Sequence, residues 1–448
     1  MNRSDLTFYF LGKKYGYNLR KMVEFVNENQ YWDNKDIEEY QTEKMIQLIH
    51  HAYNNTIYYK EVLDKLALKP KDFQSLADLK MLPIIGKADI RDRWKDLVAT
   101  DYQKYRPMHR VTSGTTGQTF QYYNDSKSWA LNWATKMRTF SWGGYTFGKD
   151  KIATLKGGSM LRKAKQSYKS RFWKYLNNYY DLPVINLTNE SMEEYYNEII
   201  SNKIKYLRGF PTAVYAFAKY IYETHGTLPF KATFTSAEYL QDFQREQIIK
   251  TFGTNHIDAY GCGDGMGGAN QCDKTAGYHV NIETSILEVI NEQGGYCDAG
   301  EQGEIVLTSL HDYAMPLIRY TPGDVAVVGK GHCSCGRTLP LLKKIVGRTS
   351  DLIYLPNGRI LNGIAIPFAD WVDKIDKFQI WHTEIDKIEL KVIPKPTLTQ
   401  KDIEYMHEIM AYHLGEGIGI KVDIVDDIPL LPNGKFKYVI SKVDNIGK

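Results

Sequence analysis

The sequence predicts an α/β chain in two parts. A large N-terminal domain over residues 1–348 carries mixed sheets with covering helices, and a small α+β domain occupies 349–448. Three observations predict it. Strand-like and helix-like stretches alternate from about 150 to 260, which is how a parallel sheet covered by helices reads in sequence. Closely spaced strands joined by glycine turns follow, making a β-rich part at about 270–346. The C-terminal stretch reads as strand, helix and strand.

Each element has its own signal. The first hundred or so residues are expected to be helical, because "EEYQTEKMIQLIHHAYNN" sets Met45, Ile46, Ile49 and Tyr53 at helical spacing. In the alternating region "KIKYL" is a short strand, a helix starts near Pro211, and "ATFTS", "QDFQREQIIKTF" and "HIDAY" follow as strand, helix and strand. The β-rich part holds "SILEVIN", "GEIVLTSL" and "DVAVVG". In the last unit "IELKVI" leads to a helix near 399–413 and then to "KVDIV". The basic segment at 161–175, with Arg162, Lys163, Lys165, Lys169, Arg171 and Lys174, reads as a solvated helix face or as an attraction for an anionic acyl acceptor.

Composition narrows the function. The chain has 448 residues, 43% hydrophobic and 25% charged, with a net charge of +4. That charge is too small and dispersed to argue for nucleic acid or a membrane surface. No run approaches the ~18 apolar residues of a membrane span. The start of the chain lacks the apolar region and cleavage site of a signal peptide. Five cysteines, an odd number in a chain this large, argue against a disulfide framework and for the cytoplasm.

The stretch "VTSGTTGQTF" packs Thr112, Ser113, Thr115 and Thr116 around Gly114 and Gly117. Gly117 is followed by Gln118 and Thr119, so the lysine with which a Walker loop reaches the terminal phosphates is missing and that mechanism is absent. A glycine-hinged loop with four hydroxyls is either an ordinary turn or a cradle whose N–H groups converge on an anion. A second glycine cluster, "GCGDGMGG" at 261–268, contains Gly-x-Gly-x-x-Gly but leaves too little room for the helix a dinucleotide site requires. Cys272 and His279 flank six residues, and Cys333 and Cys335 lie some fifty residues on. Three thiols and an imidazole complete a closed, structural Zn²⁺ shell with no open catalytic position. Cys262 and Cys297 are left over and read as inert.

Four further stretches decide the first loop. "YGCGD" (260–264), "RYTPGD" (319–324), "GRTSD" (347–351) and "LPNGK" (431–435) follow "TSGTTG" in an order and spacing that resemble the adenylate-forming acyl ligase superfamily. The N-terminal region with "LPIIGKADIR" is similar to the phenylacetate-CoA ligase family, in its branch associated with capsular polysaccharide genes. The resemblance runs nearly end to end, and its related ligases carry the same cysteine and histidine pattern.

The resemblance implies an enzyme that joins a carboxylate to the α-phosphate of ATP, releases pyrophosphate, and passes the acyl group on. Residues 112–117 would hold the β- and γ-phosphates, with glycines that let the backbone approach closely. Asp324 would accept from the ribose hydroxyls. Arg348 would lie near ribose and phosphate, Glu238 beside the adenine, and Tyr260 against the nucleotide. Asp264 would hold Mg²⁺ on the phosphates, although the superfamily usually has Glu there and Ser or Thr at Gly263. Asp351 would be the hinge of a mobile C-terminal domain that brings Lys435 to the reacting carboxylate. Implied cofactors are ATP, Mg²⁺, structural Zn²⁺ and coenzyme A. Implied partners are a small-molecule carboxylic acid and an acyl acceptor, with a homodimer left open. The acceptor is expected to be CoA, the family's parent activity; an amine or hydroxyl on a nucleotide sugar or capsular precursor is the alternative. A reading of another class is an inactive nucleotide-binding or scaffold protein, against which Lys435, Asp324 and the full 112–117 loop speak.

Overall fold

The structure is a computed structural model that describes residues 3–111, 120–156, 178–184, 187–238, 240, 242–274, 277–291, 293–346, 352–356, 360–362, 371, 374–415, 417–428, 439–441 and 443. The N-terminal helices form where the apolar spacing predicts them, and polar caps set their starts. Asp33 accepts from the Asp36 N–H to open helix Asn34–Asn55, which buries Ile37, Met45, Leu48, Ile49 and Ala52. Of the four residues expected on that face, Met45 and Ile49 are fully buried, while Ile46 and Tyr53 pack at its margin.

Among the described residues, eleven strands make one sheet. Its parallel half runs Tyr179–Pro183, Ile152–Lys156, Tyr206–Gly209, Ala232–Ser236 and His256–Cys262. Helices cover both faces, as an all-parallel region requires. Val214, Phe217, Ile221, Ile248 and Phe252 pack on one side with Leu155 and Leu207. Met137, Phe140 and Trp142 of helix Ser126–Trp142 pack on the other with Tyr206, Phe234 and Ile257. Strand His256–Cys262 is the switch. It pairs in parallel with Ala232–Ser236 and antiparallel with Gly267–Gln271. From there the sheet continues antiparallel through Tyr278–Val280, Leu341–Ile345, Val325–Val328, Gln302–Ser309 and Ser285–Ile290. The β-rich part is therefore continuous with the parallel half, because the turn after Cys262 folds the next strand back onto the same edge.

Among the described residues of the C-terminal unit, a separate four-stranded sheet runs in the order Gly419–Ile424, Lys387–Pro394, Ile375–Glu384, Val439–Ser441. Helix Gln400–Leu414 makes the crossover between the parallel pair and buries Met406, Met410 and Leu414 against Phe378, Ile380, Leu390 and Val392. Thr399 and Asp402 cap it reciprocally. No helix among the described residues is long and apolar enough to cross a membrane.

Among the described residues, two of the buried polar clusters tie distant parts of the large domain together. Arg138, fully buried, pairs with Glu283 and donates to Val26 O at 2.9 Å and Asn281 Oδ1 at 2.9 Å, joining helix Ser126–Trp142 to helix Leu19–Glu28 and the 281–284 turn. Asp125 and Asp312 form the second. The Asp125 N–H donates to Asp312 Oδ1 at 2.7 Å, and Asn124 and Ser309 donate to Asp312 Oδ2. The N–H groups of Tyr313 and Ala314 in turn donate to the Asp125 carboxylate, each at 2.9 Å. This clamp fixes the hairpin Met108–Val111 and Gln121–Asn124 to the segment that leads to Tyr320 and Asp324.

Burial raises the pKa of both carboxyl groups, and the Asp312 charge raises Asp125 further. An unfolded aspartate ionises near about pH 4. From there up to the raised native value the folded chain holds more protons than the unfolded one, so stability falls as pH rises. In Asp125→Asn that fall should be smaller between roughly pH 5 and pH 8. Thermal midpoints of both chains across the range test this; parallel curves would show that Asp125 takes up no proton on folding.

Candidate active site

Ligands of an open α/β sheet bind beyond the carboxyl ends of its strands, at the point where the topology switches. Here that point is the end of His256–Cys262. Its chain turns back through Gly263–Met266, with Met266 in the left-handed region at φ 51°. The glycines have a steric cause. A Cβ on Gly265 would stand 2.8 Å from Leu307 Cδ1 and 3.2 Å from Tyr320 Cδ1, and one on Gly267 would stand 2.5 Å from Leu307 Cδ2. Within the 261–268 cluster, Gly265 and Gly267 thus mark a close approach of the backbone to Leu307.

Three carboxylate residues gather at this edge. Tyr260 donates its hydroxyl to Asp324 Oδ2 at 2.9 Å. Burial of that hydroxyl and the Asp324 charge push its pKa well above the usual tyrosine range, so it stays a donor. Asp264 accepts from Cys262 Sγ at 2.8 Å on one oxygen and from the Tyr320 hydroxyl at 2.6 Å on the other. Burial, then the Asp264 charge, raises the Cys262 thiol well above its ordinary value. Glu238, half-buried, follows Ala237 at φ 74°, just past the Ser236–Ala259 pairing that brings that turn level with Tyr260.

The described ends of the hydroxyl-rich loop reach the same place. Val111 pairs with Gln121, and the Phe120 ring lies 6.2 Å from Tyr320, centroid to centroid. Thr112, Ser113, Gly114, Thr115, Thr116 and Gly117 lie outside the described residues, as do Arg348, Asp351 and Lys435. The structure therefore brings together Tyr260, Asp264 and Asp324, and the pairing of Ser236 with Ala259 sets Glu238 on the same side of the sheet edge. Sequence reasoning passed over Tyr320, although it sits inside "RYTPGD", and set Cys262 aside. It also gave no role to "LPIIGKADIR", where Ile85 N–H donates to Arg319 O at 2.9 Å and Lys87 Nζ donates to Pro322 O at 2.9 Å. That segment braces the turn that carries Asp324. Arg319, at φ 52°, turns inward to Glu288 and Leu82 O, so it adds no cation to the site.

The four expected zinc ligands converge. The donor atoms of Cys272, His279, Cys333 and Cys335 all lie within 4.8 Å of one another. Zn–S of about 2.3 Å and Zn–N of about 2.0 Å give tetrahedral edges of about 3.8 Å between sulfurs and about 3.6 Å from sulfur to nitrogen. Cys272 Sγ stands 3.6 Å from Cys333 Sγ, and Cys335 Sγ stands 3.5 Å from His279 Nε2. The Lys274 N–H donates to Cys272 Sγ at 3.4 Å, a bond that steadies a thiolate ligand. The donor set and its spacing fit the ion.

Residues 353–442 match the family model described as the CapK C-terminal domain. The chain is similar to the phenylacetate-coenzyme A ligase of Thermus thermophilus, at 24% identity over 88% of this chain and 92% of that protein. The Escherichia coli phenylacetate-coenzyme A ligase is 26% identical over 87% and 90%. Among solved structures, 2-hydroxyisobutyryl-CoA ligase in complex with 2-HIB-AMP and CoA superposes with a TM-score of 0.61, at 17% identity over 92% of this chain and 93% of that one. The same ligase in an open conformation gives 0.58. The fold is that of an adenylate-forming CoA ligase, as the motif order predicts.

Proposed function

We propose that this chain activates a carboxylic acid as its acyl-adenylate and then transfers the acyl group to coenzyme A. The observation that carries the reading is the convergence of Tyr260, Asp264 and Asp324 on the switch edge, where the described ends of the 112–117 loop also arrive. In the first step a carboxylate oxygen attacks the α-phosphorus and the bond to pyrophosphate breaks. Two anions must meet, so fixed donors and cations have to spread the charge. Residues 112–117 hold the β- and γ-phosphates, Asp324 the ribose hydroxyls, Glu238 and Tyr260 the base, and Arg348 the ribose and phosphate. Asp264 keeps acceptor capacity beyond its two donors and so fits a Mg²⁺ ion, which would neutralise phosphate charge. In the second step the CoA sulfur attacks the acyl carbon and AMP leaves. Lys435 serves the first step from a C-terminal domain that turns about Asp351. Cys272, His279, Cys333 and Cys335 hold structural zinc.

Acid-dependent ATP–pyrophosphate exchange, screened over a panel of aryl and short hydroxy acids, tests the reading. Thr115→Val with Thr116→Val keeps the shape and removes two donors, so exchange should fall by about a hundredfold. Exchange within about twofold of the parent would return the loop to an ordinary turn. With the right acid in hand, CoA should speed AMP formation. A second reading takes a nucleotide sugar or capsular precursor as acceptor, and the CapK match at 353–442 together with the capsule-associated resemblance favours it. In that case CoA has no effect and the sugar nucleotide does.

A further inference from the structure

We infer that Cys262 and Tyr320 are positioning residues that aim the Asp264 carboxylate at a divalent cation on the nucleotide phosphates; this rests on the ATP-site reading above. The two donors divide the carboxylate between them. Cys262 Sγ takes Oδ1 at 2.8 Å and the Tyr320 hydroxyl takes Oδ2 at 2.6 Å. Each carboxylate oxygen has two lone pairs, so among the described residues each spends one on the protein and keeps one for a cation.

The donors are themselves fixed. Tyr320 is fully buried, exchanges both backbone hydrogen bonds with Leu307 at 2.8 Å, and packs its ring on Phe120. Cys262 is buried and pairs with Gly267 in the sheet. Behind Asp264 the chain has no room to withdraw, because the Gly265 backbone already crosses against Leu307 and Tyr320. The clamp therefore suits a side chain of aspartate length. Glutamate, the residue usual in the superfamily, would carry its carboxyl about 1.5 Å farther and past both donors. Gly263, the other departure, has no such constraint: a Cβ there would meet only the Tyr122 hydroxyl at 3.8 Å.

The test is retention of Mn²⁺ by the full chain on ultrafiltration with saturating ATP and no acid, with thermal midpoints recorded alongside. Cys262→Ala and Tyr320→Phe should each raise the Mn²⁺ concentration for half-retention by about tenfold, with midpoints close to the parent's. Cys262→Ser restores a donor and should recover most of the loss. Asp264→Glu should retain Mn²⁺ more weakly than the parent, while Gly263→Ser should match it. Half-retention in Cys262→Ala within about twofold of the parent, or Cys262→Ser no better than Cys262→Ala, would overturn the inference alone. A parent chain that retains no Mn²⁺ with ATP would overturn the ATP-site reading and this inference with it.

Discussion

Lys435→Ala should lower acyl-adenylate formation by about a thousandfold while leaving transfer from a supplied acyl-adenylate within about threefold of the parent. Lys435 stands in "LLPNGKFKY", where the order Pro432, Asn433, Gly434 predicts from sequence a tight turn that can present the next side chain outward. Four residues on, Val439 pairs in parallel with Ile380 as an edge strand of the C-terminal sheet. A compact ammonium suits a place where charge builds only as carboxylate and α-phosphate approach, and its stabilisation acts on the transition state rather than on bound ATP. The acceptor then needs that space. In the proposed reaction, rotation about Asp351 would remove the lysine and admit the thiol. Asp351→Pro, which stiffens the pivot, should spare adenylation and slow transfer. Both half-reactions are measured for each variant: exchange for the first, AMP release from supplied acyl-adenylate for the second. Equal damage to the two halves by Lys435→Ala would rule out the alternating domain.

Local chemistry made much of this legible, and long-range packing hid the rest. Helix Gln400–Leu414 and strand Lys387–Pro394 fall almost where periodicity puts them, because each contributes a regular apolar face to its own small core. The strand expected as "KIKYL" lies two to three residues later, at Tyr206–Gly209. Pairing with Thr233 and Thr235 on its neighbour sets that register, and a single strand cannot reveal it. Arg138 and Glu283 are 145 residues apart, so nothing local announces their buried pair. The same distance effect hid the Asp264 contacts. Asp264 itself stood out as part of a motif, but Tyr320 reaches it from 56 residues away. Cys262 reads as inert in sequence because it is left over from the four-residue metal set, whereas its contact is with an aspartate two residues on. The convergence of Cys272, His279, Cys333 and Cys335 was legible because metal ligation restricts residue type so strongly that four residues far apart in sequence still read as a set.

Cys333→Ser should release zinc and destabilise the β-rich half of the large domain by several kcal/mol, on the order of 3–5, the second large effect expected here. A structural zinc site does not exist in the unfolded chain, so the free energy of binding is folding free energy. Its position explains where that energy acts. Cys272 follows the end of strand Gly267–Gln271, His279 lies in Tyr278–Val280, and Cys333 and Cys335 come from the loop between Val325–Val328 and Leu341–Ile345. Direct strand contact between Tyr278–Val280 and Leu341–Ile345 is short, with His279 opposite Leu341 and Tyr278 opposite Leu342. The ion would close the gap that so short a pairing leaves. The same loop reaches the N-terminal helices, because Thr338 N–H donates to Gln30 O at 3.0 Å and Arg337 Nε to Gln30 Oε1 at 2.9 Å. Trp142 joins from the other side, with Nε1 donating to Gln30 Oε1 at 2.9 Å and its ring edge-on to His279 at 5.5 Å. Losing the ion frees a loop that three layers share, so the transition should broaden as well as fall. Protein purified without chelator should contain close to one zinc per chain by atomic absorption, and Cys333→Ser much less. Cobalt in its place should show the visible bands of a tetrahedral, thiolate-rich site. A parent chain free of zinc, or a Cys333→Ser chain with an unchanged melting curve, would leave the cluster as four buried side chains with no metal to hold.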